Sequence, residues 1–278
     1  MLQGHFINLS ESIERRHQIE GALKKLGLSE TIRRFPAIRC DTGSGKLSPS
    51  ERGCLMSHAS IIDQAHTDTT LLVLEDDTVL SQRLPGALKI LPAMMQKLSL
   101  DIIFLGQTVE YSDIKTHIRL LKALDQLQAN NKAVTILDAS KFYRWGAFAY
   151  MLAPQSLKRI SASLKKEADQ GTSVPIDNFF LRQIRSNKLK AGVMFPYIVG
   201  VNADLGTTMQ ERSHARDHDL HASLVNLYLH GAQTQTGLPM SNSITQGLAD
   251  ARALAICQRV YMALTTRHTQ TDKNEAAS

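Results

Sequence analysis

The chain has 278 residues, of which 43% are hydrophobic and 21% are charged, a composition that excludes a disordered protein and allows one large α/β domain with a helical appendage. Its 32 Lys and Arg residues outnumber 26 Asp and Glu residues, so the net charge of +6 favours an anionic partner such as a nucleotide or an acidic lipid surface. Only 5% of the residues are aromatic and none interleave with arginines as base stacking requires, so nucleic acid is not expected.

The cysteines and the apolar runs indicate the cellular compartment of the protein. Cys40, Cys54 and Cys257 are widely spaced, which predicts no disulfide framework and a reducing compartment. The first residues lack the basic and apolar regions of a signal peptide, and no apolar run approaches the roughly 18 residues of a membrane span. We therefore expect a cytoplasmic protein.

Strand and helix patterns alternate along the first two hundred residues. Strands are predicted at residues 5–9, 32–38, 71–74, 101–106, 146–153 and 191–199. Helices are predicted at residues 10–28, 48–65, 84–98, 116–128, 155–170 and 175–187. This alternation predicts a mostly parallel sheet with helices on both faces.

Two of the predicted helices carry clear end signals. Ser10 is expected to cap the first helix and Gly27 to end it. Ser48 and Glu51 form a capping box at the start of the second. In that second helix the spacing puts His58 on the apolar face, where we expect it to be buried.

The pattern changes after about residue 205. Residues 1–205 are predicted as the α/β domain, residues 206–267 as a strandless helical region, and residues 268–278 as a disordered tail. The histidines near residue 214 are typical of a solvated polar helix, although His214 is also a candidate for completing a metal shell.

Three adjacent acids follow a buried strand. Glu75, Asp76 and Asp77 come directly after the apolar run of residues 71–74, at the carboxyl end of a strand, where open parallel sheets bind ligands. Adjacent carboxylates repel one another unless a cation collects there, and Mg²⁺ or Mn²⁺ typically binds such acids together with substrate phosphates. A solvated acidic turn is the alternative. The segment "CDTGSGKL" fails the Walker A pattern, so a phosphate would be held by metal.

The order of the motifs resembles glycosyltransferase family 25, the bacterial lipooligosaccharide glycosyltransferases related to the collagen galactosyltransferases. The segment "LSPSERGCLMSHASI" is similar to the family's L-S-x-G-E-x-G-C-x-x-S-H block, and "LLVLEDD" to its L-I-L-E-D-D. Further similar segments are "FINLSESIERR", "RFPAI", "DIIFLG", "WGAFAYMLAPQSLKRI" and "VPIDNFF". The resemblance spans roughly residues 4–200 and implies a GT-A-like fold, an acidic metal motif and transfer with inversion at the anomeric carbon.

The resemblance also implies residue roles. Asp77 is the first expected metal ligand, with Glu75 as the second ligand, and Mn²⁺ or Mg²⁺ is the expected cofactor. The expected donor-binding residues are Asn8, Leu9, Arg15, His58, Glu75, Asp76 and Gly146. Purely structural roles stay open as alternatives for several of them: an Asx turn for Asn8, a solvated arginine for Arg15, a core histidine for His58 and strand geometry for Gly146.

Inversion requires a base that takes the proton of the acceptor hydroxyl from the face opposite the diphosphate. Asp177, in the segment similar to the family's P-x-D element, is the expected base. A helix N-cap is its alternative role, and the two roles are compatible if the carboxylate faces the cleft.

The expected function is inverting, metal-dependent transfer of a hexose, with UDP-galactose as the first candidate donor, onto a lipooligosaccharide or another surface glycan. A non-catalytic nucleotide- or carbohydrate-binding protein that retains the fold is the alternative. The basic residues Lys158, Arg159, Lys165 and Lys166 suggest peripheral contact with an anionic inner-membrane surface, although such runs are usually only a solvated face.

Overall fold

The structure is a computed structural model that describes residues 1–109, 113–130, 132–169, 174–202 and 229. The strands are β1 (Leu2–Asn8), β2 (Ile32–Pro36), β3 (Thr70–Glu75), β4 (Thr78–Leu80), β5 (Ile102–Phe104), β6 (Thr135–Asp138), β7 (Ala149–Leu152), β8 (Ala191–Phe195) and β9 (Val199–Val201). The helices are α1 (Ile13–Lys25), α2 (Pro49–Asp63), α3 (Leu84–Leu98), α4 (Ile114–Ala129), α5 (Ala139–Phe142), α6 (Pro154–Asp169) and α7 (Ile176–Arg185).

Seven strands form the central sheet, in the order β2-β1-β3-β7-β5-β8-β6. Five of them run in one direction, because β1 is parallel to β2 and β3, β5 is parallel to β8, and β7 is antiparallel to both β3 and β5. The prediction of a mostly parallel sheet flanked by helices is confirmed. Since β7 runs the opposite way, its first residues lie at the same edge as the carboxyl ends of β1 and β3.

The core explains why β3 reads as an unbroken apolar run. Leu71, Leu72, Val73 and Leu74 are all completely buried, as are the four residues of β7 beside them. A strand in the middle of a sheet with both faces covered has no solvent-facing side, so its residues do not alternate in polarity.

The helix signals are confirmed in part. The Ser48 hydroxyl accepts a hydrogen bond from the Glu51 backbone N–H, and the Glu51 carboxylate accepts one from the Ser48 N–H at 2.8 Å, which completes the capping box of α2. Gly27 follows the end of α1 with a φ of +68°, as expected of a C-terminal glycine. Ser10 as the cap of α1 is wrong, because the helix begins at Ile13 and Ser12 occupies the N-cap position without a side-chain cap bond.

Three features of the fold differ from the sequence expectation. The segment between α4 and β7, where no element was predicted, contains β6 and α5, which pair and pack with β8. The strand expected at residues 146–153 begins only at Ala149. The last extended segment is divided into β8 and β9, and β9 pairs with β4 in a small antiparallel sheet that was not predicted.

Several expectations fall on the C-terminal part of the chain. The helical region at 206–267, apart from the buried helical residue Leu229, the tail at 268–278 and the metal-shell candidate His214 lie outside the described residues. In the part of the chain that the structure describes, no helix combines the length and the apolar character that a membrane crossing requires.

Candidate functional site

Two adjoining cavities open at the edge where β1 and β3 end. The larger, about 560 Å³, is lined by the end of β1, the start of α1, the loop after β2, one face of α2 and the three acids that follow the apolar run of β3. The smaller, about 100 Å³, is lined by residues before β7 and at the start of α7. Cys54 and Glu75 line both cavities, so these two side chains stand at the boundary between them.

Asp76 is held by its neighbours on both carboxylate oxygens. The Asn8 amide Nδ2 donates to Oδ2 at 2.7 Å, and the Arg15 guanidinium donates to Oδ1 at 3.2 Å. Burial raises the pKa of Asp76, and these two donors oppose the rise. Asp76 therefore ties the acidic loop to β1 and α1.

Asn8 is buried, and its amide contacts other protein groups. Besides Asp76, Nδ2 donates to the Ser12 carbonyl at 3.1 Å, and Oδ1 accepts from the Arg34 Nε at 2.8 Å. Arg34 was not among the predicted site residues. The signal for it is the βαβ pattern, since β2 lies parallel beside β1 and brings Arg34 opposite Phe6, two residues from Asn8.

Asp77 and Glu75 remain open to the larger cavity, with side chains 17% and 30% exposed. The Asp77 Oδ2 lies 3.5 Å from the Arg15 guanidinium. Burial, and then the charge of Glu75, raise the pKa of Asp77 to about 7 against the opposing effect of Arg15. Oxygen ligands held against their own repulsion fit a hard divalent cation, which would stabilise the ionised form.

His58 lies fully buried on α2 and also lines the larger cavity, so its two predicted roles are compatible. Its Nδ1 is 2.8 Å from the Tyr150 hydroxyl, and its Nε2 is 3.3 Å from the Glu75 carboxylate. Cys54, one helical turn before His58, brings its sulfur into the same group, since the ligand atoms of Cys54, His58 and Glu75 lie within 4.8 Å of one another.

Cys54 was not among the predicted site residues. Burial, with nearby carboxylates, raises the pKa of the Cys54 thiol well above its ordinary value. The Cys-x-x-x-His spacing, which puts both side chains on one face of α2, was interpreted as core packing.

Asp177 lines the smaller cavity with Gly146 and Glu75. The expected N-cap role is wrong, because Pro175 occupies that position and Asp177 is the second residue of α7. Its Oδ1 accepts from the Asn178 N–H at 2.7 Å. Burial raises the pKa of Asp177, while backbone hydrogen bonds from Asn178 and Gly146 lower it. Asp177 is therefore a partly buried carboxyl with a raised pKa in the wall of the smaller cavity.

Gly146 does not lie within a strand, which corrects the strand-geometry reading of this residue. Its φ is +91°, and a Cβ there would lie 2.9 Å from the Phe148 ring and 3.1 Å from the Thr108 nitrogen. Glycine is therefore required before β7 by backbone conformation and by space. Leu9 lines the larger cavity beside Asn8.

The basic residues of α6 lie apart from both cavities. Arg159 pairs with Asp101 at 2.6 Å, and Lys165 pairs with Asp63 at 2.7 Å. Lys158 and Lys166 are exposed. The helix has a solvated face, part of whose charge is paired within the chain.

Comparison with known proteins identifies one family. The family model described as glycosyltransferase family 25 (LPS biosynthesis protein) matches residues 1–180. The matched range contains both cavities and every predicted site residue up to Asp177. No curated protein matches the chain.

Proposed function

Since the chain belongs to glycosyltransferase family 25 and is therefore a glycosyltransferase of lipopolysaccharide biosynthesis, we propose that it transfers a hexose from a UDP-sugar with inversion and with the help of Mn²⁺ or Mg²⁺. UDP-galactose is the first candidate donor. The observation that carries this proposal is that acids line both cavities and meet at Glu75. Asp76 and Asp77 line the larger cavity with Glu75, and Asp177 lines the smaller cavity with Glu75.

The larger cavity takes the donor. Its volume of about 560 Å³ lies within the range of small-molecule sites, about 300–1,000 Å³. Asp77 and Glu75 would hold the cation, which when bound neutralises the charge of the leaving diphosphate. Asp76, fixed by Asn8 and Arg15, keeps the acidic loop in place, and the Arg15 guanidinium adds positive charge on the same side.

The smaller cavity takes the reacting hydroxyl of the acceptor. Asp177 accepts the hydroxyl proton while the acceptor oxygen forms a bond to the anomeric carbon of the donor. The bond from that carbon to the diphosphate oxygen breaks, and its electron pair leaves with the diphosphate. Attack from the side opposite the leaving group inverts the anomeric configuration, and it requires the base to come from a segment other than the acidic loop.

The acceptor is a glycan, and we propose a lipooligosaccharide or another surface glycan assembled at the cytoplasmic side of the inner membrane. The exposed lysines Lys158 and Lys166 of α6 provide charge for peripheral contact with an anionic surface. Each such residue near a membrane contributes about 1 kcal/mol to binding. Binding to anionic but not to neutral vesicles tests this part of the proposal.

The decisive experiment begins with a thermal-shift screen of UDP-, GDP- and CMP-hexoses with Mn²⁺, Mg²⁺ or EDTA, because a ligand of the folded state raises the melting temperature. UDP-hexoses with a divalent cation are expected to give the largest shift. Transfer to truncated lipooligosaccharides is then measured, and the anomeric configuration of the product is read by NMR.

Three outcomes contradict the proposal. Undiminished transfer in EDTA would contradict the metal requirement. A product with retained anomeric configuration would contradict the inverting mechanism. Stabilisation by the nucleotide sugar without transfer to any acceptor would favour a non-catalytic binding protein.

A further inference from the structure

Cys54, His58 and Glu75 form a compact group of three different ligand types at the boundary of the two cavities. We propose that this group is a second cation site, selective for borderline transition metals of the Zn²⁺ class, which shares Glu75 with the proposed oxygen-ligand site at Asp77. Thiolate and imidazole ligands favour such metals, whereas carboxylates alone favour Mg²⁺ and Mn²⁺.

The geometry is close to that of a three-ligand zinc site. Zinc bonds of about 2.0–2.3 Å in a tetrahedral arrangement put the ligand atoms about 3.3–3.7 Å apart. The His58 Nε2 and the Glu75 carboxylate are already 3.3 Å apart, and all three ligand atoms lie within 4.8 Å of one another. The ligand atoms therefore need to move about 1 Å closer together to bind one zinc ion, whose fourth coordination position would be open to water or a ligand.

Neighbouring groups set the orientation of the imidazole ring. Tyr150 lies 2.8 Å from the His58 Nδ1, and the two rings stack with centroids 5.7 Å apart. With the proton on Nδ1 and donated to the Tyr150 oxygen, Nε2 presents its lone pair toward Glu75. An outer hydrogen bond of this kind fixes the tautomer and orientation of a metal-binding histidine.

The site has an entry path and a helical frame. His58 is fully buried, but Cys54 and Glu75 line both cavities, so a cation entering from the larger cavity can reach all three ligands. Cys54 and His58 are one turn apart on α2, whose start is held by the capping box. Metal binding releases the Cys54 thiol proton to solvent and forms the metal–sulfur bond.

Occupation of this site has a consequence for transfer. Glu75 belongs both to this group and to the proposed Mn²⁺ or Mg²⁺ site, so a metal held by sulfur and imidazole withdraws one carboxylate from the donor side. A Zn²⁺-class ion is therefore expected to inhibit transfer. The binding itself does not rest on the proposed reaction, since it is measured without any nucleotide sugar.

The test titrates the full-length chain with Co²⁺ and follows the thiolate-to-cobalt charge-transfer band in the near ultraviolet. A Cys40→Ser/Cys257→Ser background leaves Cys54 as the only thiol. We expect one equivalent of Co²⁺ to produce the band, Zn²⁺ to displace it and excess Mg²⁺ to leave it unchanged. Cys54→Ser in the same background should abolish the band with the circular dichroism spectrum unchanged.

Cys40 provides a matched control, because it is another free cysteine that lines the larger cavity. Cys40→Ser alone should keep the band. Tyr150→Phe should retain it but weaken Co²⁺ affinity about 10-fold or more, the usual cost of losing an outer hydrogen bond at a metal site. The proposal is overturned if the background protein, with Cys54 as its only thiol, gives no thiolate band.

Discussion

The carboxylates on the two walls of the candidate site have different surroundings. The β1–β3 wall consists of the ends of β1 and β3 with the acids Glu75, Asp76 and Asp77, and the β7–α7 wall consists of the residues before β7 and the start of α7. On the β1–β3 wall, Asp76 and Asp77 lie against Arg15, and Asp76 is also held by Asn8. On the β7–α7 wall, Asp177 receives backbone hydrogen bonds, next to the buried aromatic residues of α7. The first wall clusters its acids around an arginine, whereas Asp177 on the second wall is held by backbone groups and shares the smaller cavity with Glu51 and Glu75.

The difference indicates which chemistry each wall suits. A cluster of carboxylates with a shared arginine suits a cation and the diphosphate that a cation binds. A carboxyl whose pKa is raised by burial suits proton transfer, because a raised pKa strengthens the carboxylate as a base. Glu75, between the cavities, is exposed to both environments.

The largest effect is expected from Asp77→Asn on the charged wall. The substitution keeps the shape but removes the negative charge that would hold the cation, whose stabilisation of the transition state is worth several kcal/mol. Transfer should fall by about 10³-fold, with a loss of the Mn²⁺-dependent stabilisation by the donor. Steady-state kinetics and thermal shift measure both. Asp63→Asn, at a carboxylate paired with Lys165 at the end of α2, is the matched control. Normal transfer by Asp77→Asn would break the distinction between the walls.

Asp177→Asn tests whether the carboxyl on the β7–α7 wall accepts the proton. The amide cannot accept the hydroxyl proton, so transfer should fall by about 10²-fold while donor affinity stays near the wild-type value. In the wild type, the rate should fall with decreasing pH through a value above that of an ordinary carboxyl, because burial raises the pKa of Asp177. A pH–rate profile and donor titration measure the two effects. Equal losses of donor affinity and rate would assign Asp177 to binding instead.

The free energy of unfolding of the metal-free protein tests the charge of Asp77 on the β1–β3 wall. Because burial and Glu75 raise the pKa of Asp77 to about 7, its ionisation opposes folding: the contribution to stability is full below the ordinary carboxyl pKa and is lost as the pH rises through about 7. Asp77→Asn should therefore raise the free energy of unfolding at pH 8 in EDTA by on the order of 2 kcal/mol.

Urea unfolding at pH 8 and at a pH below the ordinary carboxyl pKa of about 3.9 measures the difference, which should nearly vanish at the lower pH. Added Mn²⁺ should stabilise the wild type and leave the variant unchanged. A variant that is less stable than the wild type at pH 8 would show that the Asp77 charge is already compensated within the chain.

The smallest effect is expected from Asn8→Ala, which removes one of the two donors that hold Asp76. Loss of a buried hydrogen bond costs about 1–3 kcal/mol, so KM for the donor should rise about 10-fold with kcat nearly unchanged. Gln3→Ala, at the other end of β1, removes hydrogen bonds away from the site and is the control. A fall in kcat with unchanged KM would move Asn8 from positioning to chemistry.

Much of the fold was predictable because its signals are local. The apolar run before Glu75 identified a central strand, and the Ser48–Glu51 capping box identified the start of α2. The alternation of helices and strands indicated a parallel sheet. Each of these depends on a few neighbouring residues whose burial or backbone hydrogen bonds are set by spacing alone.

Other features depend on contacts between distant segments. The pairing of β4 with β9 joins residues over a hundred positions apart. The backbone needs of Gly146 come from a turn that packs against Phe148 and Thr108. Periodicity carries no information about such partners, so the short strands β4, β6 and β9 were not predicted.

For the site, the sequence by itself determined which residue types lie at the strand ends, namely three acids at the end of β3 and an asparagine at the end of β1, and it put a histidine on the inner face of α2. The tertiary structure decided how those residues divide the work. Asn8 and Arg15 reach Asp76, Asp177 comes to the same edge as Glu75 because β7 reverses direction, and the helix–strand packing brings Cys54 to Glu75. The physical reason is that residue type and spacing set local conformation, whereas hydrogen-bond partners, burial and the resulting pKa values arise only when remote segments pack together.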